Sequence, residues 1–75
     1  MADTDICRRV GKRIKELRSI RGLSQERFAN DIDMARTYFT EVENGKRNLS
    51  LVNLEKIAHG LNISLREFFD SELFN

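Results

Sequence analysis

Apolar residues recur along this chain at spacings of three and four, in runs separated by short polar breaks. Ile6, Val10, Ile14 and Leu17 form the first stripe and predict a helix from about Ile6 to Ile20. Asp3, Thr4 and Asp5 precede it as acidic or capping residues, and Gly22 is placed to end it. Ser24 then caps a short second helix, Gln25 to about Ile32, with Phe28, Ala29 and Ile32 inward. Asp33 stands at the break, where a left-handed backbone is expected. A third helix starts near Met34-Ala35 and stops at Asn44-Gly45. Phe39 and Val42 face its core side, Tyr38 borders that side, and Thr37, Thr40, Glu41 and Asn44 lie opposite. Ser50 caps a fourth helix with a stripe of Leu54, Ile57, Ala58 and Leu61. Ser64 and Glu67 have the spacing of a capping box, and the fifth helix they begin is expected to reach about Leu73, with Phe74 just beyond.

Nothing in the pattern asks for strands. Proline is absent, and helix formers are plentiful. The expected fold is therefore all-α: one compact five-helix domain over residues 1–75. A core this small is marginal, since a domain of roughly 60 residues buries only about 60% of its unfolded surface. One Cys and one His offer neither a disulfide nor a zinc site. Stability must come from tight helix packing, a second copy of the chain, or both.

Charge changes the picture more than composition does. The formal net charge is only +1, but its distribution is uneven. Between Arg8 and Arg21 seven basic residues face one acid, Glu16, whereas from Ser50 onward Lys56 and Arg66 face Glu55, Glu67, Asp70 and Glu72. Arg8, Arg9, Lys12 and Arg13 read as a solvated face that attracts nucleic acid from a distance. Cys7 reads as a small, partly buried hydrophobe and His59 as a surface residue near a helix end. No set of Ser, His and acidic residues suggests catalysis, and no metal or cofactor is expected. No signal peptide or membrane span is evident, so a cytosolic location is the expectation.

Two short helices meeting at a tight turn, with Phe28, Ala29, Ile32, Met34, Phe39 and Val42 inward, form a helix-turn-helix pattern over about residues 24–44. Ala29 is small where the two helices must cross closely. The second helix of such a unit fits the major groove of duplex DNA. Arg36, Thr37, Tyr38 and Thr40 are then placed to meet base edges, Arg by a bidentate fork on guanine and Thr by its hydroxyl or methyl. Packing half-buried beside the core is the alternative for Tyr38. Gln25 at the start of the second helix, the loop Lys46-Arg47-Asn48 and the helix start at Ser50 are candidate phosphate contacts. Glu41 is awkward there: it can accept from cytosine, or repel phosphates and sit clear of DNA. Leu51, Val52, Phe69, Leu73 and Phe74 exceed what so small an interior holds, so helices 4 and 5 are expected to make a two-fold homodimer contact. The alternative is that Leu65 and Phe68 pack inside and the last residues fray.

The combination Gly22-Leu23-Ser24-Gln25-Glu26, Ala29, Val42-Glu43-Asn44-Gly45-Lys46 and Leu49-Ser50-Leu51, with Leu54, Ile57, Ala58 and Leu61, resembles the Cro/repressor-type (Xre-like) helix-turn-helix family. The resemblance covers roughly residues 8–70. Arg36-Thr37-Tyr38, Glu43 and Arg47-Asn48-Leu49-Ser50-Leu51 look closer to the controller proteins of restriction–modification systems. That resemblance implies a homodimeric bacterial transcription regulator, cytoplasmic and nucleoid-associated when bound. It would bind a pseudo-palindromic double-stranded operator and time endonuclease expression, with RNA polymerase as a further partner. It also implies base contact by Arg36, backbone contact by Arg47 and Asn48, and a buried structural ion pair between Arg18 and Glu43. Asp33 stands where the family commonly has glycine, Phe39 where a smaller aliphatic is usual, and Asn44 where arginine is frequent. A phage-type repressor or an antitoxin-like protein-binding module is the alternative reading.

Overall fold

The structure, a computed structural model, describes residues 5–75. Five α-helices follow in order: α1 Asp5–Ile20, α2 Gln25–Asp31, α3 Arg36–Glu43, α4 Leu51–Gly60 and α5 Leu65–Phe68, with a 3-10 turn Glu72–Phe74 closing the chain. The described residues contain no strand, as the apolar spacing predicted. Asp3 and Thr4, expected to precede α1, lie outside the described residues.

Local chemistry sets most helix starts. Ser24 Oγ accepts from the Arg27 N–H at 3.0 Å, and Ser50 Oγ from the Asn53 N–H at 3.1 Å. Ser64 and Glu67 complete a reciprocal capping box, each side chain accepting from the other's N–H at 3.0 Å. Asp33 takes the left-handed conformation at φ 57°, which lets the Met34 N–H reach back to the Ala29 carbonyl at 2.8 Å and turns the chain into α3.

One continuous core holds the helices together. Ile14 of α1, Phe28 of α2, Phe39 of α3, Ile57 of α4 and Phe68 of α5 are each 1% exposed or less. The Phe28 and Phe39 rings pack with centroids 5.3 Å apart, so the larger side chain at position 39 is absorbed by the α2–α3 contact. Ala29 is buried where these helices meet. A second close approach, absent from the sequence reading, joins α1 to α3. A Cβ on Gly11 would lie 2.5 Å from the Val42 carbonyl oxygen, so only glycine lets α3 sit this near α1.

The fifth helix is shorter than its apolar pattern predicted. It ends at Phe68 rather than near Leu73. Ser71 is extended and its Oγ caps the 3-10 turn by accepting from the Leu73 N–H at 3.2 Å. Arg13, from α1, takes the carbonyls at the break: Nε donates to Phe68 O at 2.7 Å, and Nη2 to Glu67 O at 2.9 Å and Asp70 O at 3.3 Å. Arg9 Nη1 donates to Leu73 O at 3.2 Å. Arg9 and Arg13 are thus tied to the C-terminal segment, which corrects their reading as part of a solvated basic face. Phe74 folds back, 4.9 Å from Phe69 and 6.4 Å from Phe68 between ring centroids, so the end of the chain is packed rather than frayed.

Candidate nucleic-acid interface

The reading helix α3 is positioned from three sides. Its inner face, Phe39 and Val42, is buried in the core. Its C-terminal turn is held by a hydrogen-bonded ion pair. Arg18 Nε donates to Glu43 Oε2 at 2.7 Å and Nη2 to Oε1 at 3.1 Å, while Nη1 donates to the Leu23 carbonyl at 2.6 Å. Both side chains are nearly buried, so each is the other's compensation for lost water. Gln25 joins the same group: Nε2 donates to Glu43 Oε1 at 2.7 Å, and Oε1 accepts from the Thr40 hydroxyl at 3.3 Å. α1, α2 and α3 are therefore locked by one chain of polar contacts, Arg18–Glu43–Gln25–Thr40.

This arrangement gives two of the candidate site residues partners within the domain. Gln25, expected on a phosphate, turns its amide toward Glu43 and Thr40. Thr40, expected on a base, donates its hydroxyl to Gln25. Both are half-buried. What each still offers outward is one amide hydrogen from Gln25, and the methyl and oxygen lone pairs from Thr40.

Arg36 and Thr37 are exposed on the first turn of α3. No side chain caps that turn, because Ala35 occupies the cap position. Its first N–H groups lack a side-chain acceptor there. Arg36 Nη1 lies 3.8 Å from Glu26 Oε1 across an open cleft at the mouth of the helix-turn-helix, lined by Ser24, Arg27, Asn30 and Met34. Tyr38 is half-buried, and its hydroxyl accepts from Asn53 Nδ2 of α4 at 3.2 Å.

The loop after α3 turns on Gly45, at φ 75°, whose missing side chain leaves room for Arg8; a Cβ there would come 2.9 Å from the Arg8 Cα. The loop presents exposed Lys46, Arg47 and Asn48, then Ser50 at the start of α4. Arg47 Nε donates to Glu41 Oε1 at 2.7 Å, and its guanidinium carbon lies 5.1 Å from the centre of the Tyr38 ring. Glu41, left open by the sequence, is thus paired with Arg47.

The candidate dimer residues divide. Leu51 and Val52 on the first turn of α4 are 82% and 74% exposed, and Phe69 is 39% exposed. Leu73 and Phe74 are half-buried, and Phe74 packs on the domain's own core. Leu65, 40% exposed, and Ile6, 44% exposed, were not among the predicted interface residues. Grooves lined by Leu51, Val52 and Leu65, by Leu65 and Phe69, and by Ile6 and Phe69 link these side chains into one patch. Among the described residues no group of His, Cys, Asp and Glu is arranged to hold a metal ion, and no helix is long and apolar enough to cross a membrane.

Three comparisons bear on this geometry. A family model described as a helix-turn-helix domain matches residues 11–73. The chain is 58% identical over 66 residues to the control protein C.MunI of Mycoplasma sp, covering 87% of this chain and 89% of that protein. In structure it is similar to the restriction–modification controller protein C.AhdI from Aeromonas hydrophila, with a TM-score of 0.83, 44% identity and coverage of 88% of this chain and 100% of that one. It is also similar to the controller protein C.Esp1396I, seen as a tetramer in complex with its natural 35-base-pair operator, with a TM-score of 0.80, 36% identity and coverage of 85% and 84%. By its matched family model, its identity to C.MunI and its close structural likeness to C.AhdI, this chain belongs to the helix-turn-helix family of restriction–modification controller proteins.

Proposed function

We propose that this protein is a sequence-specific DNA-binding transcription regulator that acts as a homodimer and controls restriction endonuclease expression through paired operator sites. The observation that carries the reading is the outward side of α3. Arg36 and Thr37 stand exposed on an uncapped first turn, while a buried ion pair and two helices fix the helix behind them. The operator complex of the related tetrameric C.Esp1396I supports the same assignment.

In this reading Arg36 and Thr37 contact bases in the major groove, with Tyr38 beside them and the Thr40 methyl available to a base edge. Lys46, Arg47, Asn48 and the start of α4 at Ser50 hold the phosphate backbone, and Gln25 adds its remaining amide hydrogen. Leu51, Val52 and Phe69, joined by Leu65 and the half-buried Leu73, form the contact between copies, while Phe74 packs on the domain's own core behind them. A two-fold dimer sets two reading helices about 34–36 Å apart and requires a roughly palindromic site. The work is recognition and positioning, with no bond made or broken.

Selection of duplexes from a random pool, followed by equilibrium binding across salt, tests the reading. A symmetric preferred site is expected, with log affinity falling by about 0.9 per log unit of salt for each phosphate neutralised. Arg36→Ala is expected to lose about 1–3 kcal/mol of discrimination at one base pair of each half-site. A protein with no preferred duplex in dilute salt would overturn the assignment.

A further inference from the structure

Glu41 is a carboxylate on the outward side of α3, beside the loop that would meet phosphates. An anion there is unfavourable unless a cation holds it. Arg47 does so, with Nε 2.7 Å from Glu41 Oε1. The guanidinium also lies over the Tyr38 ring, 5.1 Å from its centre, and that ring is fixed by Asn53 Nδ2 donating to its hydroxyl at 3.2 Å. The loop backbone is fastened to the same residue, because the Lys46 N–H donates to the Glu41 carbonyl at 2.9 Å. Glu41 thus anchors the loop by its main chain and Arg47 by its side chain. A phosphate that approaches the Nε edge of Arg47 must compete with this carboxylate.

We propose that Glu41 is a positioning residue for the phosphate contact: it holds Arg47 on Tyr38, so a phosphate gains the Nε edge of the guanidinium only by displacing the Glu41 carboxylate. The proposal rests on the reading of α3 and residues 46–50 as the duplex-facing surface. A duplex that offers phosphates alone gains little from Arg47. An operator that also satisfies Arg36 and Thr37 draws the backbone close enough to displace Glu41. The carboxylate therefore weakens binding to every sequence: the operator loses the energy of the Arg47–Glu41 pair, and an unselected sequence forgoes the smaller Arg47 contact.

The test uses the full chain, a selected operator duplex and an unrelated duplex of equal length, with affinities measured across salt. Glu41→Gln keeps the size of the side chain and removes its charge. It is expected to bind the unrelated duplex roughly two- to five-fold tighter near 0.1 M salt, the scale of an exposed ion pair. Its log–log salt slope on that duplex is expected to steepen by about 0.9, one added phosphate contact. The operator, which already displaces Glu41, is expected to gain at least as much affinity while keeping its slope, so the added contact is confined to the unrelated duplex. In an Arg47→Ala background the same change is expected to have no effect on affinity or slope. Two results overturn the proposal and leave the DNA-binding reading standing. One is an unchanged slope and unchanged affinity for the unrelated duplex. The other is an equal effect with Arg47→Ala present, which would mean that Glu41 repels phosphates directly. A wild-type protein that prefers no duplex overturns both readings, and the wild-type titration alone reports it. Thermal unfolding of each variant separates these effects from loss of fold.

Discussion

At the scale of single residues, the Glu43 carboxylate has the most constrained surroundings in the domain. It accepts from Arg18 twice and from Gln25 once, and its side chain is 1% exposed. Truncating one partner strands the other charge away from water. Arg18→Ala and Glu43→Ala are each expected to lose about 3–5 kcal/mol in urea unfolding, while the double variant loses less than their sum. Losses that simply add would mean that the two charges are not coupled. The pairing of Arg18 with Glu43 could be anticipated only through family resemblance, because the residues are 25 positions apart and no local spacing links them. The inward turn of Gln25 was not legible. A glutamine at the first position of a helix reads as exposed, and only the approach of α3 supplies Glu43 and Thr40 as partners. Arg36 and Thr37 were legible as exposed, since the apolar stripe of their own helix defines which side faces out.

At the scale of helices, the starts and the first four ends were legible to within a residue or two, and the end of α5 was not. Ser24, Ser50 and Ser64 are local signals, each satisfied by an N–H three residues on. The end of α5 depends on Arg13, which reaches the Phe68 carbonyl from 55 positions away. No periodicity in residues 65–74 encodes that. The same contact predicts a specific weakness. Arg13→Ala removes the donor to three carbonyls at the α5 break, and a single hydrogen bond to a charged group typically contributes about 1.5–3 kcal/mol. The expected result is faster amide hydrogen exchange confined to residues 65–74, with the α3 amides unchanged. Uniform acceleration across the chain would show that Arg13 supports the whole core rather than this element. Gly11 belongs to the same scale. It reads as an unremarkable position inside α1, and its importance exists only where α3 crosses.

At the scale of the whole molecule, several exposed arginines are matched by nearby acids. Arg27 faces Asp31, Arg36 faces Glu26 and Arg47 faces Glu41, so much of the positive charge of the helix-turn-helix half is balanced within it. Overall charge is then a poor guide to a surface that binds phosphates, and side-chain geometry is the better one. The same economy of space joins the two proposed contacts. Residues 46–50 would hold the DNA backbone, and the next two, Leu51 and Val52, begin the exposed apolar patch. A copy docked on that patch would brace the phosphate-holding loop as well as set the spacing of the reading helices. Val52→Asp places a charge in the patch while touching little of the domain's own core, since Val52 is 74% exposed. It is expected to sediment as a monomer at micromolar concentration with its helix content and unfolding midpoint retained. Operator affinity should fall far more than affinity for an unrelated duplex, because one monomer engages a single half-site. A variant that remains dimeric would move the contact away from α4, and a monomer that still binds the full operator tightly would break the link between pairing and recognition.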